Sequence, residues 1–314
     1  MKGLARLLVG TLVWAGSLAV AQPATPAAGN NTPAVAAQPA EAKIIADPAI
    51  WRVKGAHGTV YLFGSVHVMK PNVEWENAKV KAALTASNVI YLEIANLDDT
   101  AAAQPLAMKF GLDLQHPLSS KISKDDVAIL DAAAKSMGLP GEAMLEPMQP
   151  WLVSATLEVV PMLKAGYDPA SGIDTKLLAE SRGENKSIKG FETMEEQIHM
   201  LADEPMDQQV TELHRQLSEL DKSAAEINDL VAAWEHGDVE KIGRIDNDEL
   251  AAKYPAQYKR IVVDRNTKWA ATLDGLLKAP DTGTVFVTVG AAHLAGPDSV
   301  LKMLEKNGYR VERE

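Results

Sequence analysis

The sequence predicts a mixed α/β domain in which strands from both ends of the folded chain share one central sheet and a helical middle segment covers a crevice. Short apolar segments of strand character occur within residues 51–94 and 284–311, and helical periodicity dominates between them. The segment 88–94 is apolar almost throughout, which is typical of a parallel strand covered on both faces. This order of elements favours a single α/β domain.

Residues 1–21 predict an exported protein. Lys2 and Arg6 precede an apolar stretch at 7–20, and the small residues of 19–21 form a cleavage site, which is the order of a secretory signal peptide. The apolar stretch is shorter than the roughly 20 residues of a comfortable membrane span, although an uncleaved anchor is the alternative. We therefore expect a periplasmic or secreted protein with no stable membrane insertion after cleavage.

Composition limits the classes of function. Residues 22–46 are mainly Ala, Pro, Gln, Asn and Thr and predict a flexible linker, so the α/β domain is expected at 47–314. The net charge of −11 argues against nucleic acid or an anionic membrane as a partner. The sequence contains no Cys, which excludes thiol catalysis, iron–sulfur clusters, Cys-based zinc sites and a lipoprotein anchor.

The first strands are expected to form a hairpin around a Gly-rich turn at 55–58. A helix is expected at about 73–87, followed by the parallel strand at 88–94. The middle is expected to be helical at 123–138, 148–165 (bent at Pro161) and 173–182, with a short strand at 187–191. The many charges of 195–253 predict an exposed helical pair or lid. The remaining elements are expected to be a helix at 261–277, a strand at 284–289, a helix at 299–306 and a last strand at 309–311.

Two turns share one pattern and carry the functional prediction. His67 and His293 each stand three residues after a Gly that ends an apolar strand, in Gly64-Ser65-Val66-His67 and Gly290-Ala291-Ala292-His293. Open α/β sheets place their ligands at the carboxyl ends of the strands, and Gly lets the backbone turn sharply there. A satisfied turn histidine is the alternative for either residue alone, but two copies at strand ends favour a functional pair.

Glu93 ends the parallel strand and could complete the site. A carboxylate there is costly unless it is solvated, paired or bound to a cation, and it could be a metal ligand or a general base. A surface Glu at a strand end is the alternative. We expect His67, Glu93 and His293 to lie outside the core, so that replacing them leaves the fold intact. Ser65 is a weaker nucleophile candidate, because no G-x-S-x-G turn is present.

The chain resembles the TraB/PrgY/GumN family over about residues 50–313. The motifs that carry the resemblance occur in the family's order and are Trp51-Arg52-Val53, the first G-x-x-H turn, Tyr91-Leu92-Glu93-Ile94, Gly172-Ile173-Asp174, Phe191-Glu192-Thr193 with Gln197, Arg265-Asn266 and the second G-x-x-H turn. The Tiki members of this family are extracellular metal-dependent proteases centred on the two turns and a Glu. Unlike the membrane-anchored members, this sequence has no apolar span near residue 314.

The resemblance implies a metal-dependent hydrolase, specifically a peptidase that acts on a peptide or protein substrate. His67, His293 and Glu93 would be the metal and catalytic residues, and Arg265 and Asn266 would be supporting catalytic groups. By ligand type, zinc, manganese and cobalt are all acceptable, and the family favours manganese or cobalt. The alternative is a non-catalytic periplasmic protein that uses the same crevice to bind a peptide or glycan in a regulatory role.

Overall fold

A computed structural model describes residues 42–314, except the side chains of residues 160 and 221. The eight strands in this range are β1 (Ile44–Ile45), β2 (Ile50–Lys54), β3 (Gly58–Ser65), β4 (Val73–Glu74), β5 (Val89–Ile94), β6 (Ser187–Glu192), β7 (Gly283–Gly290) and β8 (Val311–Arg313). The first α-helices are α1 (Ala78–Ala86), α2 (Thr100–Gly111), α3 (Lys124–Ser136), α4 (Pro150–Lys164), α5 (Ile173–Gly183) and α6 (Met194–Ala202). They are followed by α7 (Met206–Glu235), α8 (Val239–Gly243), α9 (Glu249–Lys253), α10 (Pro255–Tyr258), α11 (Asp264–Lys278) and α12 (Val300–Lys306).

The main sheet has six strands in the order β6-β5-β7-β3-β2-β8. Strands β6, β5, β7 and β3 are parallel, whereas β2 is antiparallel to both β3 and β8. The predicted α/β class is therefore confirmed, as are the hairpin β2–β3, the parallel strand β5 and a sheet shared by both ends of the folded chain. The carboxyl ends of β5, β7 and β3 lie side by side at one edge of this sheet.

Helices cover both faces of the sheet, because alternate residues of its central strands are apolar on both sides. One face carries Phe63, Ile90 and Phe286 and packs against α1, α5 and α7. The other face carries Leu62 and Val287 and packs against α11 and α12.

The helical middle is only partly exposed. The 30-residue helix α7 packs along α4 and buries Leu213 and Leu217 in a cluster of its own. Near its end, Val231 and Trp234 join the core on the sheet. Of the two alternatives predicted for 195–253, an exposed helical pair or a lid, the exposed pair is wrong for α7, because its apolar face makes tertiary contacts. None of the helices described is both long and apolar enough to cross a membrane.

Some predicted boundaries shift where short pairings intervene. The last residues of the predicted linker belong to the domain, because β1 pairs in parallel with β4 and Ala46 is buried. The helix expected from residue 73 begins only at Ala78, where the Asn77 side chain accepts a hydrogen bond from the backbone N–H of Val80. The last strand occupies Val311–Arg313, and α2 was not predicted. The predicted signal peptide and residues 22–41 of the predicted linker lie outside the described residues.

Candidate active site

The two G-x-x-H turns leave the same edge of the sheet on neighbouring strands. β3 and β7 run in parallel register, with Ser65 opposite Gly290 at the point where both strands end. On the other side of β7, β5 ends with Glu93 and Ile94. Three adjacent strands therefore deliver the two turns and the carboxylate to one place.

Gly290 marks the point on which the functional groups converge. A β-carbon at this position would lie 3.3 Å from Glu93 Oε1, 3.4 Å from His67 Nε2 and 3.6 Å from His293 Cδ2. A β-carbon would therefore be tight against Glu93 and in van der Waals contact with the two histidines, and a side chain longer than that of Ala would fill the space between them. The structure thus brings together the two histidines and the glutamate that the sequence singled out.

His67 is oriented by a carboxylate from α5. Its Nδ1 lies 2.5 Å from Oδ2 of Asp174, so Nε2 is the nitrogen that faces Gly290 and Glu93. Burial by itself would lower the pKa of His67, but the charge and the hydrogen bond of Asp174, together with the charge of Glu93, outweigh it, and the pKa is raised. A carboxylate behind Nδ1 is the usual way in which proteins fix the ring of a ligand or catalytic histidine.

His293 is oriented by an amide from α11. Its Nδ1 lies 2.7 Å from Oδ1 of Asn266, and because that oxygen can only accept, Nδ1 carries the proton and Nε2 the lone pair. Nε2 in turn lies 3.1 Å from Nη1 of Arg265. Burial and the positive charge of Arg265 lower the pKa of His293 to about 3, so this imidazole is neutral at physiological pH.

Glu93 is an ionised and almost fully buried carboxylate. Oε1 accepts a hydrogen bond of 2.7 Å from the backbone N–H of Gly290, and Oε2 accepts one of 2.6 Å from Nη2 of Arg265 and one of 3.2 Å from Nε2 of Gln197. Burial would raise the pKa of Glu93, but the charge of Arg265, helped by the two histidines and the Gly290 N–H, lowers it to about 2.

Arg265 is the central cation of the cluster. Besides Glu93 and His293 it binds Glu192, which accepts from Nε at 2.9 Å and from Nη2 at 2.8 Å, and its guanidinium lies 4.6 Å from the ring centre of Trp269. Burial would lower the pKa of Arg265, but Glu93 and Glu192 raise it. The guanidinium is therefore permanently charged and held in one geometry by two carboxylates and an aromatic face.

Two π-helical segments position the α11 side of the site. The first, Arg244–Asp248, contains Asn247, whose Nδ2 donates to the carbonyls of Ala292 at 2.8 Å and Ala295 at 3.1 Å and so clamps the second G-x-x-H turn. The second, Lys259–Val263, leads directly into Arg265 and Asn266. Such irregular turns are frequent at functional sites because they re-aim the side chains that follow.

A small cavity of about 50 Å³ lies beside the charged cluster. Its other walls are mainly apolar and include Met162 from α4 and Trp234 from α7. The polar residues that line the cavity are Ser65, His67, Glu93, Asp246 and His293, and the apolar residues from α7 are Ile227, Leu230, Val231 and Trp234. The volume is too small for a drug-sized ligand, whose pockets span about 300–1,000 Å³. The helical middle therefore closes over the crevice, as the sequence predicted.

All five residues proposed from the sequence meet in this cluster. Glu93 is 6% and His293 1% exposed, so the expectation that these residues lie outside the core is wrong for both, whereas His67 has intermediate exposure. Sequence reasoning missed Asp174, Glu192 and Gln197 as members of the site, although all three stand in motifs that carried the resemblance. Asp174 stands in the first turn of α5, and its burial, which points to a role for its charge, is visible only in the structure.

The sequence profile of the TraB/PrgY/gumN family matches residues 49–313. The chain belongs to this family. The matched range runs from the strand β2 to the strand β8 and includes every residue of the cluster, so the resemblance found in the sequence is confirmed. An uncharacterized protein of Treponema pallidum strain Nichols is 25% identical over 275 residues, which are 82% of this chain and 80% of that protein. No solved structure matches the chain.

The imidazole and carboxylate groups of this TraB/PrgY/gumN protein are donor types that a divalent metal accepts. Each histidine has its Nδ1 engaged by an oxygen on the far side and its Nε2 directed at the cluster, the arrangement of metal-bound imidazoles. Oε1 of Glu93 has only the Gly290 N–H as partner among the hydrogen bonds described. Within residues 42–314, however, no group of three His, Asp or Glu side chains already has metal-site geometry, and Nη1 of Arg265 is at His293 Nε2.

In this TraB/PrgY/gumN protein the start of α5 packs so closely against the first G-x-x-H turn that a side chain at Gly172 should destabilise the fold. A β-carbon at Gly172 would lie 2.1 Å from the carbonyl oxygen of His67, so Gly172→Ala should displace the turn and cost about 1–3 kcal/mol, as overpacking does. Gly183→Ala at the other end of α5 is the matched control, because nothing lies within 4 Å of its added carbon. Chemical denaturation of both variants measures the difference, and equal stabilities would contradict the predicted clash.

Proposed function

We propose that this protein is a metal-dependent hydrolase that cleaves peptides. The observation that carries the proposal is that two imidazoles with fixed Nδ1 partners and the carboxylate of Glu93 converge on Gly290 at one cavity. His67, Glu93 and His293 would hold the ion, with manganese or cobalt favoured and zinc also compatible with these donors. When bound, the ion supplies Lewis-acid polarisation of a carbonyl and activation of water.

The charges around the cavity are compatible with a cation. Asp174, Glu93 and Glu192 bring three carboxylates to the cluster, against the single fixed positive charge of Arg265. Metal binding requires neutral imidazoles, which add no charge. With three carboxylates and one guanidinium, the cluster would then carry a net negative charge that a divalent ion reduces. Arg265 would remain anchored by Glu192, and its Nη1, once released from His293, could bind the oxygen of the substrate carbonyl.

Peptide as the substrate rests on the resemblance to the Tiki proteases and on the lining of the cavity. An apolar wall next to a polar cluster suits an apolar side chain next to an amide group. Polar groups of the cluster would bind the amide, and the α7 side would exclude water from it.

Metal analysis and a cleavage assay test the proposal. Protein purified from Gln22 onward should bind about one equivalent of manganese or cobalt by elemental analysis, and it should cleave members of a peptide library only in the presence of the ion. Chelation with EDTA should abolish cleavage and re-addition of the ion should restore it. Cleavage that is unchanged in EDTA would contradict the role of a metal.

A binding or regulatory protein is the second candidate, and one observation favours it. Arg265 already satisfies Glu93 and His293 without an ion, so the cluster is also complete as a purely structural ion network. In that case the purified protein would bind no metal and cleave no peptide, yet a peptide or glycan array would detect a ligand whose binding is lost on Gly290→Val. The same metal and cleavage measurements therefore separate the two candidates.

We further propose that the protein acts outside the cytoplasm, because the sequence of residues 1–21 has the form of a signal peptide. Cleavage after Ala21 would produce a mature chain that begins at Gln22. Mass spectrometry of the periplasmic fraction or the medium should identify this N-terminus. Recovery of only full-length chain from the membrane fraction would contradict cleavage and favour an uncleaved anchor.

A further inference from the structure

Ser65 has a buried hydroxyl that the proposed chemistry does not use. The residue is the last of β3, it is 2% exposed, and it lines the cavity next to His67. Its Oγ has no hydrogen-bond partner among the described residues. A buried hydroxyl without a partner is unfavourable and therefore calls for an explanation, such as a ligand.

The sheet register places Ser65 at the functional groups. Side chains alternate along a strand, so Ser65 projects to the same face as Phe63, whose ring contacts Trp234 on the cavity wall. Ser65 is also the parallel partner of Gly290, about 4.8 Å away across the sheet. It therefore projects to the side on which Glu93 Oε1 and His67 Nε2 surround Gly290.

Thr288 provides a control for the buried hydroxyl of Ser65. Thr288 lies on the neighbouring strand β7, its Oγ1 is equally buried without a described partner, and it does not line the cavity. Thr288 can reach no ligand there. The two residues form a matched pair that separates an effect of the cavity from an effect of burial.

The other cavity walls define what could lie against Ser65. The indole N–H of Trp234, its only donor, is hydrogen-bonded to the carbonyl of Gly64 at 2.7 Å. The α7 side therefore presents the apolar surfaces of Leu230 and Val231 to the cavity. A cavity of about 50 Å³ is about a third of the size that holds benzene. It therefore has room for a small aliphatic group and not for an aromatic ring.

We propose that Ser65 is a substrate-binding residue, whose hydroxyl donates a hydrogen bond to the carbonyl oxygen of a substrate residue with a small aliphatic side chain. This inference rests on the proposed function, of which it specifies the substrate class. The side chain of that residue fills the space between Met162, Leu230 and Val231, and its carbonyl lies between Ser65 and the His67–Glu93 cluster.

Binding of small amides tests the assignment without requiring turnover. N-acetyl-alaninamide and N-acetyl-valinamide are the probes for the cavity, and N-acetyl-tryptophanamide is the oversized control, each titrated by ligand-observed NMR. The two small amides should bind more tightly than the tryptophan amide. Ser65→Ala should raise their Kd by about 3- to 10-fold, the value of one hydrogen bond, whereas Thr288→Val should leave the Kd unchanged.

A third variant tests whether the apolar wall of the cavity limits the size of the bound side chain. Leu230→Ala enlarges the cavity without touching the polar cluster, and it should improve binding of N-acetyl-leucinamide relative to N-acetyl-alaninamide. Thermal melting of each variant verifies that it is folded, and Ser65→Ala should melt no lower than the wild type, because it removes an unsatisfied hydroxyl.

Several results would overturn the assignment. One is the absence of saturable amide binding by the wild type, and another is an equal Kd for the wild type and Ser65→Ala. The others are a Kd raised as much in Thr288→Val as in Ser65→Ala, or no preference for small amides over the tryptophan amide. If peptides are cleaved, a Ser65→Ala variant that loses kcat at unchanged KM would also overturn it and indicate a nucleophile. Amide binding that depends on Ser65 in a protein that cleaves nothing would support this inference and contradict the proposed hydrolase.

Discussion

Replacing Arg265 with methionine is expected to destabilise the domain by about 3–5 kcal/mol, the usual cost of leaving a buried charge without its partner. Glu93 and Glu192 both depend on this guanidinium, and their side chains are each 8% exposed. Methionine keeps most of the volume and the contact with Trp269 but supplies no charge. Urea denaturation of the metal-free protein measures the loss.

The matched control is Arg182→Met, which removes an equally direct ion pair with Asp98 at the surface, where both side chains are 48% exposed. Water screens that pair, so its loss should cost less than about 1 kcal/mol. Similar losses in the two variants would contradict the central structural role of Arg265.

The stability of Arg265→Met relative to the wild type should depend on pH in a defined direction. In the wild type the pKa of Glu93 is lowered from 4.5 to about 2, so its contribution to stability is present above pH 4.5 and is lost as the pH falls from 4.5 to 2. Without Arg265, we expect burial, the largest influence on this group, to raise the pKa of Glu93 above its unfolded value. Protonation of Glu93 at lower pH then removes the cost of an unpaired buried charge. The difference in the free energy of unfolding between Arg265→Met and the wild type should therefore narrow as the pH falls. A constant difference between pH 7 and pH 4 would contradict this account.

His67→Ala and His293→Ala are expected to lower any metal-dependent cleavage by about 10²–10⁴-fold, with bound metal falling in parallel. Each change removes one nitrogen donor from a site with few donors to spare. Glu93→Gln keeps the shape and removes the charge. If Glu93 is a ligand, this variant loses metal and activity together, whereas if it is a base, it retains metal and loses kcat alone.

His57→Ala is the control for these variants, because it makes the same change at an exposed position of the β2–β3 hairpin turn. It should retain the metal content and cleavage of the wild type. Since His293 and Glu93 are buried, their variants must also be compared by thermal melting, so that loss of fold is separated from loss of chemistry. Folded His67→Ala and His293→Ala variants with full metal content and cleavage would refute the proposed site.

Much of the architecture could be predicted from local sequence patterns. Alternation and a Gly-rich turn predicted the β2–β3 hairpin, and the apolar run ending at Glu93 predicted a parallel strand, because burial on both faces leaves no polar positions. The repeated G-x-x-H pattern located both ends of the site. The start of α1 was misplaced because β4 pairs with β1, a contact that helical periodicity at 73–87 does not reveal.

Local sequence patterns by themselves determined the fold class and the strands that end at the site, since hydrophobic periodicity fixes which strands are buried and Gly fixes where they turn. Arg265 and Asn266 were proposed only because the chain resembles the family. Only the tertiary structure decided how the residues of the site are paired. Arg265 reaches Glu93 across 172 positions of sequence, and Asp174 reaches His67 from another helix. Such pairs depend on the packing of α5 and α11 on opposite faces of the sheet. The charge state of Glu93 and the size of the cavity follow from this packing, because both depend on which distant side chains exclude water from the site.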